Sequence, residues 1–206
     1  MRALLIGNGE TQQSAFLQGL AQKADFILAA DGGADRALAA GVRPDVIIGD
    51  LDSISPQARS LVPAEKLIFV NNQNNTDLEK ALDYLSAKGC TQCTLTGFVG
   101  GRWDFTFGNF LSVYPYLDKM DICVAGKGWQ IWPLTHSVKK TVRPEARVSL
   151  IPAADCQNVT LKGLTYPLEH AHLTLGRTGR TLSNIAQQPE IEITFDAGFL
   201  LLYIED

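Results

Sequence analysis

The stretch VIIGDLDS, residues 46–53, decides the predicted fold. Its apolar start predicts a buried strand, and Gly49 is followed by two carboxylates, Asp50 and Asp52. In open α/β folds, ligands bind at the edge of the sheet where the parallel strands have their carboxyl ends. The pair therefore predicts a negative site suited to Mg²⁺ that is shared with phosphate oxygens. A solvated turn is the alternative, because Asp and Ser favour turns in any case.

Three other apolar runs end in the same kind of polar loop. Residues 26–30 lead into Asp31, residues 67–70 lead into the acidic and amide side chains of residues 73–77, and residues 94–96 lead into the glycine-rich segment 100–104. Parallel strands place their carboxyl ends at one edge of a sheet, so we expect these loops to lie close together.

Up to about residue 120, short apolar runs alternate with segments of helical period, which is typical of a parallel sheet covered by helices. The clearest helix begins at Thr76, which forms a capping-box pattern with Glu79, and it ends at Gly89. Two further helices are predicted over residues 34–40 and 104–117.

After residue 125 the pattern changes to short β-rich runs without intervening helices, at residues 129–134, 146–151, 158–161, 172–175, 191–195 and 199–204. Such runs indicate a small antiparallel sandwich or barrel. We therefore predict two domains, residues 1–125 and 126–206.

Composition limits the possible partners. The 206 residues carry a net charge of −4, which argues against nucleic-acid and anionic-membrane surfaces. The apolar run at the N-terminus is too short for a signal peptide, and no later run approaches the length of a membrane span, so a cytoplasmic location is the default expectation. Cys90 and Cys93 have the spacing of a zinc or redox pair, but no second pair accompanies them.

The loops lack the commonest phosphate-binding motifs, such as GxxxxGK(S/T). The pairs Gly32-Gly33 and Gly100-Gly101 would allow backbone N–H groups to approach phosphates, with Arg102 as a charged clamp. Together with the carboxylates they predict a metal-dependent nucleotide site for phosphoryl or pyrophosphoryl transfer. Tight turns are the alternative explanation for each glycine pair.

Six ordered motifs resemble those of the thiamine pyrophosphokinase family. They are ADGGA (residues 30–34), PDVIIGDLDS (44–53), TDLEKAL (76–82), GGRWD (100–104) with the stretch 106–109 that follows it, KGLTYPL (162–168) and the dipeptide Ser183-Asn184.

The resemblance implies transfer of diphosphate from ATP to thiamine, which yields thiamine diphosphate and AMP. It also implies a Rossmann-like N-terminal α/β domain, a β-sandwich C-terminal domain for thiamine binding and dimerisation, and a homodimer with sites between subunits. By the same carry-over, Mg²⁺ would be held by Asp50, Asp52 and Asp77, and catalysis would also involve Arg102 and Asp104. The residues assigned to ATP are Asp31, Gly32, Gly33, Gln73, Gly101, Arg102 and Asn109. Ser183 and Asn184 would bind thiamine.

Two positions depart from the family pattern. Asn74 stands where many members have an Asp, and Phe105 stands where a His often follows GGRxD. Two other functions therefore stay open: a related diphosphokinase for another heterocyclic alcohol, such as a pterin, and a non-catalytic sensor of nucleotide or thiamine.

Overall fold

The computed structural model describes residues 1–10, 13–177 and 181–205. The chain divides into two compact units, residues 1–127 and 128–206. The division follows Lys127, because the last strand of the first unit extends through Gly126. None of the helices in the described part of the chain is long and apolar enough to cross a membrane.

The first unit is an α/β domain. Its strands are β1 (Arg2–Ile6), β2 (Phe26–Ala30), β3 (Val46–Gly49), β4 (Leu67–Phe69), β5 (Gln92–Thr96) and β6 (Asp121–Gly126). They form a parallel sheet in the order β4-β3-β2-β1-β5-β6. Its helices are α1 (Ser14–Ala21), α2 (Gly33–Ala39), α3 (Pro56–Leu61), α4 (Asp77–Ala87) and α5 (Trp103–Ser112).

The sheet is buried on both faces, as a parallel sheet covered by helices requires. Successive residues of β1 point to opposite faces, yet Leu4, Leu5 and Ile6 are all at most 1% exposed. Leu4 and Ile6 belong to a cluster that includes Leu17 of α1 and Ala37 of α2. This rigid layer fixes the loops at the carboxyl ends of the strands.

The second unit is antiparallel. Its strands are β7 (Trp129–Leu134), β8 (Val138–Thr141), β9 (Arg147–Pro152), β10 (Cys156–Lys162), β11 (Leu168–Leu173), β12 (Asn184–Ile185), β13 (Glu190–Thr194) and β14 (Leu200–Glu205). They form the sheets β12-β9-β14-β7 and β11-β10-β13-β8. One apolar core joins the two sheets, with Leu150 and Leu202 from the first and Val159 and Ile193 from the second.

Candidate active site

The candidate site lies where the order of the parallel strands reverses. From β1 the chain proceeds to β2, β3 and β4 on one side, and then places β5 on the other side of β1. A cavity of about 780 Å³ opens beside the loops that follow β1 and β5, which include Asn8 and Gly97. A crevice at such a reversal is the usual ligand site of open α/β sheets.

Three carboxylates meet at this edge of the sheet. Asp31 follows β2, Asp50 follows β3, and Asp77 begins α4. One oxygen from each of the three lies within 4.8 Å of the others, which makes them a group that could hold a metal ion. Asp50 and Asp77 were predicted as metal ligands, whereas Asp31 was predicted to bind ATP.

Asp31 carries the strongest electrostatic perturbation of the three. It is 6% exposed, and its Oδ1 is buried without a hydrogen-bond partner among the described residues. Burial raises the pKa of its carboxyl group, and the charges of Asp77 and Asp50 raise it further, whereas hydrogen bonds from Ser53 and Gly32 act in the opposite direction. A buried carboxylate with two other carboxylates close by requires a cation or a proton.

The backbone around the cluster is strained. Asp31 has a φ of 44° and Leu51 has a φ of 61°, so both lie in the left-handed region of backbone conformation. A leucine rarely adopts this region. Between these two residues, a Cβ on Gly49 would lie 3.1 Å from the Cβ of Asp31 and 3.4 Å from Asp77 Oδ1, so glycine is required for the carboxylates to approach one another. Strain of this kind collects at functional sites.

Helix α4 presents Asp77 from its first turn. Thr76 Oγ1 accepts from the backbone N–H of Glu79, and Glu79 Oε2 accepts from the backbone N–H of Thr76, so the predicted capping box is present. Asp77 therefore lies in the first turn, at the positive end of the helix dipole. Lys80, one turn later, donates from Nζ to Asp77 Oδ1 over 2.9 Å.

The glycine-rich loop before α5 forms another wall of the cavity. Gly101, Arg102, Phe105 and Asn109 all line it. Arg102 lies 4.4 Å from the centre of the Phe105 ring and donates from Nε to Asp104 Oδ1 over 3.1 Å. This hydrogen bond lowers the pKa of the exposed Asp104 carboxyl group. Arg102 is thus a cation held at the edge of the cavity, where phosphate groups could reach it.

Asp52 lies outside the three-carboxylate cluster. It is exposed, its Oδ1 accepts from Ser53 Oγ over 2.9 Å, and it lines a neighbouring cavity of about 640 Å³. That cavity shares Asn8, Arg36 and Ser53 with the larger one. Asp52 is thus close to the site without joining the other carboxylates, and its role as a metal ligand stays a prediction.

Three further predicted residues take different positions. Gly32 lines the smaller cavity, whereas a Cβ on Gly33 would lie 2.2 Å from the carbonyl oxygen of Ile6, so Gly33 serves the packing of α2 against β1. Gln73 and Asn74 are both exposed in the loop before α4, and neither lines the two cavities described here. Asn74 does not cap α4, because Thr76 does.

Ser183 and Asn184 belong to the second unit. Ser183 is exposed with a φ of 57°, whereas Asn184 is 3% exposed. Asn184 Oδ1 accepts from the backbone N–H of Tyr166 over 3.0 Å, and its Nδ2 donates to the carbonyl of Tyr166 over 2.8 Å. Asn184 thus fixes the backbone of the exposed Tyr166. The sequence GRTGR at residues 176–180, just before Ser183, predicts a short turn, which lies partly outside the described residues because it includes residues 178–180.

The carboxylates fit a divalent cation. All three donors are hard oxygens, which Mg²⁺ and similar ions prefer, and the buried Oδ1 of Asp31 has no other described partner. The four cysteines, all among the described residues, are by contrast buried and form no disulfide. Fold and site together define an α/β protein with a candidate metal and phosphate site at the reversal of its sheet.

Comparison with known proteins specifies the class. Residues 17–124 match the family model described as "Thiamin pyrophosphokinase, catalytic domain", and residues 135–200 match the model "Thiamin pyrophosphokinase, vitamin B1 binding domain". The chain belongs to the thiamine pyrophosphokinase family.

Full-length relatives agree with the family models. A thiamine pyrophosphokinase of Bacillus subtilis (strain 168) is 27% identical, over 96% of this chain and 95% of the relative. The crystal structure of the enzyme from Bacillus subtilis superposes with a TM-score of 0.88 at 26% identity, covering 100% of this chain and 99% of the other. The thiamin pyrophosphokinase of Geobacillus thermodenitrificans gives a TM-score of 0.84 at 25% identity, covering 100% and 98%.

Proposed function

We propose that the protein transfers diphosphate from ATP to the hydroxyl group of thiamine, which yields thiamine diphosphate and AMP. The observation that carries the proposal is the cluster of Asp31, Asp50 and Asp77 beside the cavity at the reversal of the sheet. Membership in the family supplies the acceptor, because both family models match along the chain.

The chemistry of the transfer places a clear demand on these residues. The hydroxyl oxygen of thiamine forms a bond to the β-phosphorus of ATP. The bond from the β-phosphorus to the oxygen that bridges it to the α-phosphorus breaks, so AMP leaves with the bridging oxygen. The hydroxyl proton passes to solvent. Asp31, Asp50 and Asp77 would hold Mg²⁺, which neutralises charge on the phosphates when it is bound. Arg102 would bind a phosphate oxygen, and the backbone N–H of Gly101 in the same loop would approach the same groups, whereas that of Gly100 already donates to Thr106 Oγ1 over 3.0 Å.

The finer architecture is also proposed. The reversal of strand order at β1 supports a Rossmann-like assignment of the first unit.

A homodimer is supported by the exposed apolar row on α5, which includes Trp103, Phe107 and Leu111, because exposed apolar patches of this kind mark protein interfaces. A monomeric mass by light scattering would contradict the homodimer. A cytoplasmic location stays a prediction from the sequence.

The activity is tested with purified protein, ATP, Mg²⁺ and thiamine. We expect AMP and thiamine diphosphate in equal amounts, with no AMP when thiamine is omitted.

The Asp50→Asn variant is expected to lose at least about a hundredfold in kcat/KM, because one anionic metal ligand is removed without any change in side-chain size. Formation of ADP would contradict the proposal, as would release of AMP only with a pterin alcohol. Binding of both substrates without turnover would favour a non-catalytic sensor of nucleotide or thiamine.

A further inference from the structure

Lys80 is a buried lysine beside the carboxylate cluster. Its side chain is 5% exposed, and it lies on α4 among the buried residues Leu78, Ala81 and Leu82. Lysine is almost never buried unless it is paired, since the aliphatic part of its side chain normally carries the ammonium to water. Here the partner is Asp77, whose Oδ1 accepts from Lys80 Nζ over 2.9 Å.

The pair determines the charge of the site. Three ionised carboxylates together with one ammonium group leave a formal charge of −2, which a single divalent cation cancels. Without Lys80 the same cluster would carry a charge of −3 around the poorly solvated Asp31. The ammonium therefore relieves repulsion among the carboxylates when no metal is bound.

We propose that Lys80 acts as a built-in counter-ion of Asp77 that lowers the affinity of the cluster for divalent cations. The inference rests on the proposed metal site. The ammonium repels an incoming cation, and it already supplies part of the charge compensation that the cation would bring. Both effects reduce the gain on metal binding, so the metal stays exchangeable between turnovers.

Three variants separate the charge of Lys80 from its hydrogen bond. Lys80→Gln keeps an N–H donor but loses the charge, Lys80→Met loses both, and Lys80→Arg keeps the charge. We expect Lys80→Gln and Lys80→Met to bind Mn²⁺, measured by calorimetry without nucleotide, at least about tenfold more tightly than the parent protein, whereas Lys80→Arg stays within about threefold.

A stability measurement accompanies the titration. In EDTA, the two neutral variants are expected to unfold at lower temperature than the parent, and Mn²⁺ is expected to raise their Tm by more than it raises that of the parent. Leu85→Ala is the matched control, because Leu85 is fully buried on the same helix and carries no charge. It should lose stability with no change in affinity for Mn²⁺.

A double variant covers the case in which a neutral variant does not fold. Asp77→Asn combined with Lys80→Gln keeps the formal charge of the parent site, so we expect it to fold. The double variant and Asp77→Asn lack the same carboxylate and differ only in the ammonium group, so we expect the double variant to bind Mn²⁺ at least about tenfold more tightly than Asp77→Asn. Unchanged or weaker binding by the neutral single variants would overturn the inference, as would equal affinities of Asp77→Asn with and without Lys80→Gln. A parent protein that binds no Mn²⁺ would instead contradict the proposed metal site.

Discussion

At the residue scale, the role proposed for Asp31 carries a cost in stability. Its folded-state pKa is raised, so its contribution to stability is fully present below the pKa of the unfolded chain and is lost as the pH rises through the folded-state pKa. Above that pH the metal-free protein must hold an ionised, nearly buried carboxylate close to Asp50 and Asp77. A bound cation would remove this cost.

The Asp31→Asn variant is therefore expected to be more stable than the parent at neutral pH in EDTA, by on the order of 1 kcal/mol, because its amide can donate to a neighbouring carboxylate. Urea unfolding of both proteins between about pH 4 and pH 8 measures the difference, which should grow with pH. Activity should fall although stability rises. If the free energies of unfolding of the two proteins changed with pH in parallel, the electrostatic cost would not lie at Asp31.

The residues of the cluster were predictable to different degrees. Asp50 and Asp77 could be predicted because one directly follows an apolar run and the other begins a capped helix. Asp52 was expected beside Asp50 on the rule that residues i and i+2 point the same way, but that rule holds only in extended chain. The strand ends at Gly49 and Leu51 is left-handed, so the two carboxylates diverge. Asp31 also directly follows an apolar run, so its place at this edge of the sheet was predictable, but the sequence did not show that its carboxylate, rather than that of Asp52, joins the group.

At the element scale, the bounds of a helix or strand could be predicted where one sequence pattern dominated. Helix α4 has a capping box and a regular apolar face, and it begins and ends close to the predicted bounds. Helix α5 ends at Ser112 rather than at residue 117, because Pro115 lacks an N–H and its ring collides with the preceding turn. Strand β11 begins earlier than predicted, since register shifts in its pairing with β10 break the alternation of apolar residues.

The cap of α4 joins stability to the site, because Thr76 directly precedes Asp77. Thr76→Ala removes the acceptor for the Glu79 N–H and is expected to cost about 1 kcal/mol in the free energy of unfolding. Urea unfolding measures that loss, and calorimetry with Mn²⁺ should show weaker binding because Asp77 is less well fixed. Thr76→Ser is the control, since its hydroxyl can serve as the same cap. An equal loss of stability in both variants would show that the cap contributes nothing.

At the scale of the whole molecule, the alternation of strands and helices indicated a parallel sheet but not the order of its strands. The apolar pattern of a strand does not say which strands lie beside it, so the order β4-β3-β2-β1-β5-β6 depends on long-range packing. The cavity depends on that order, because the loops after the neighbouring strands β1 and β5 both line it. Candidate residues of the site could therefore be predicted from the sequence, but which of their side chains lie close together could not.

The two units are expected to divide the two substrates between them. Asn184→Ala removes the side-chain hydrogen bonds that fix Tyr166, at a cost of about 1–3 kcal/mol in the stability of the second unit. We expect thiamine binding to weaken at least about tenfold, and ATP binding to stay within about twofold, because the cavity and the residues assigned to ATP lie in the first unit. Ile193→Val is the matched control, since it costs about 0.5–1.5 kcal/mol in the core of the same unit without touching Tyr166. Calorimetry that shows equal losses for thiamine and ATP, or a loss for neither, would contradict this division.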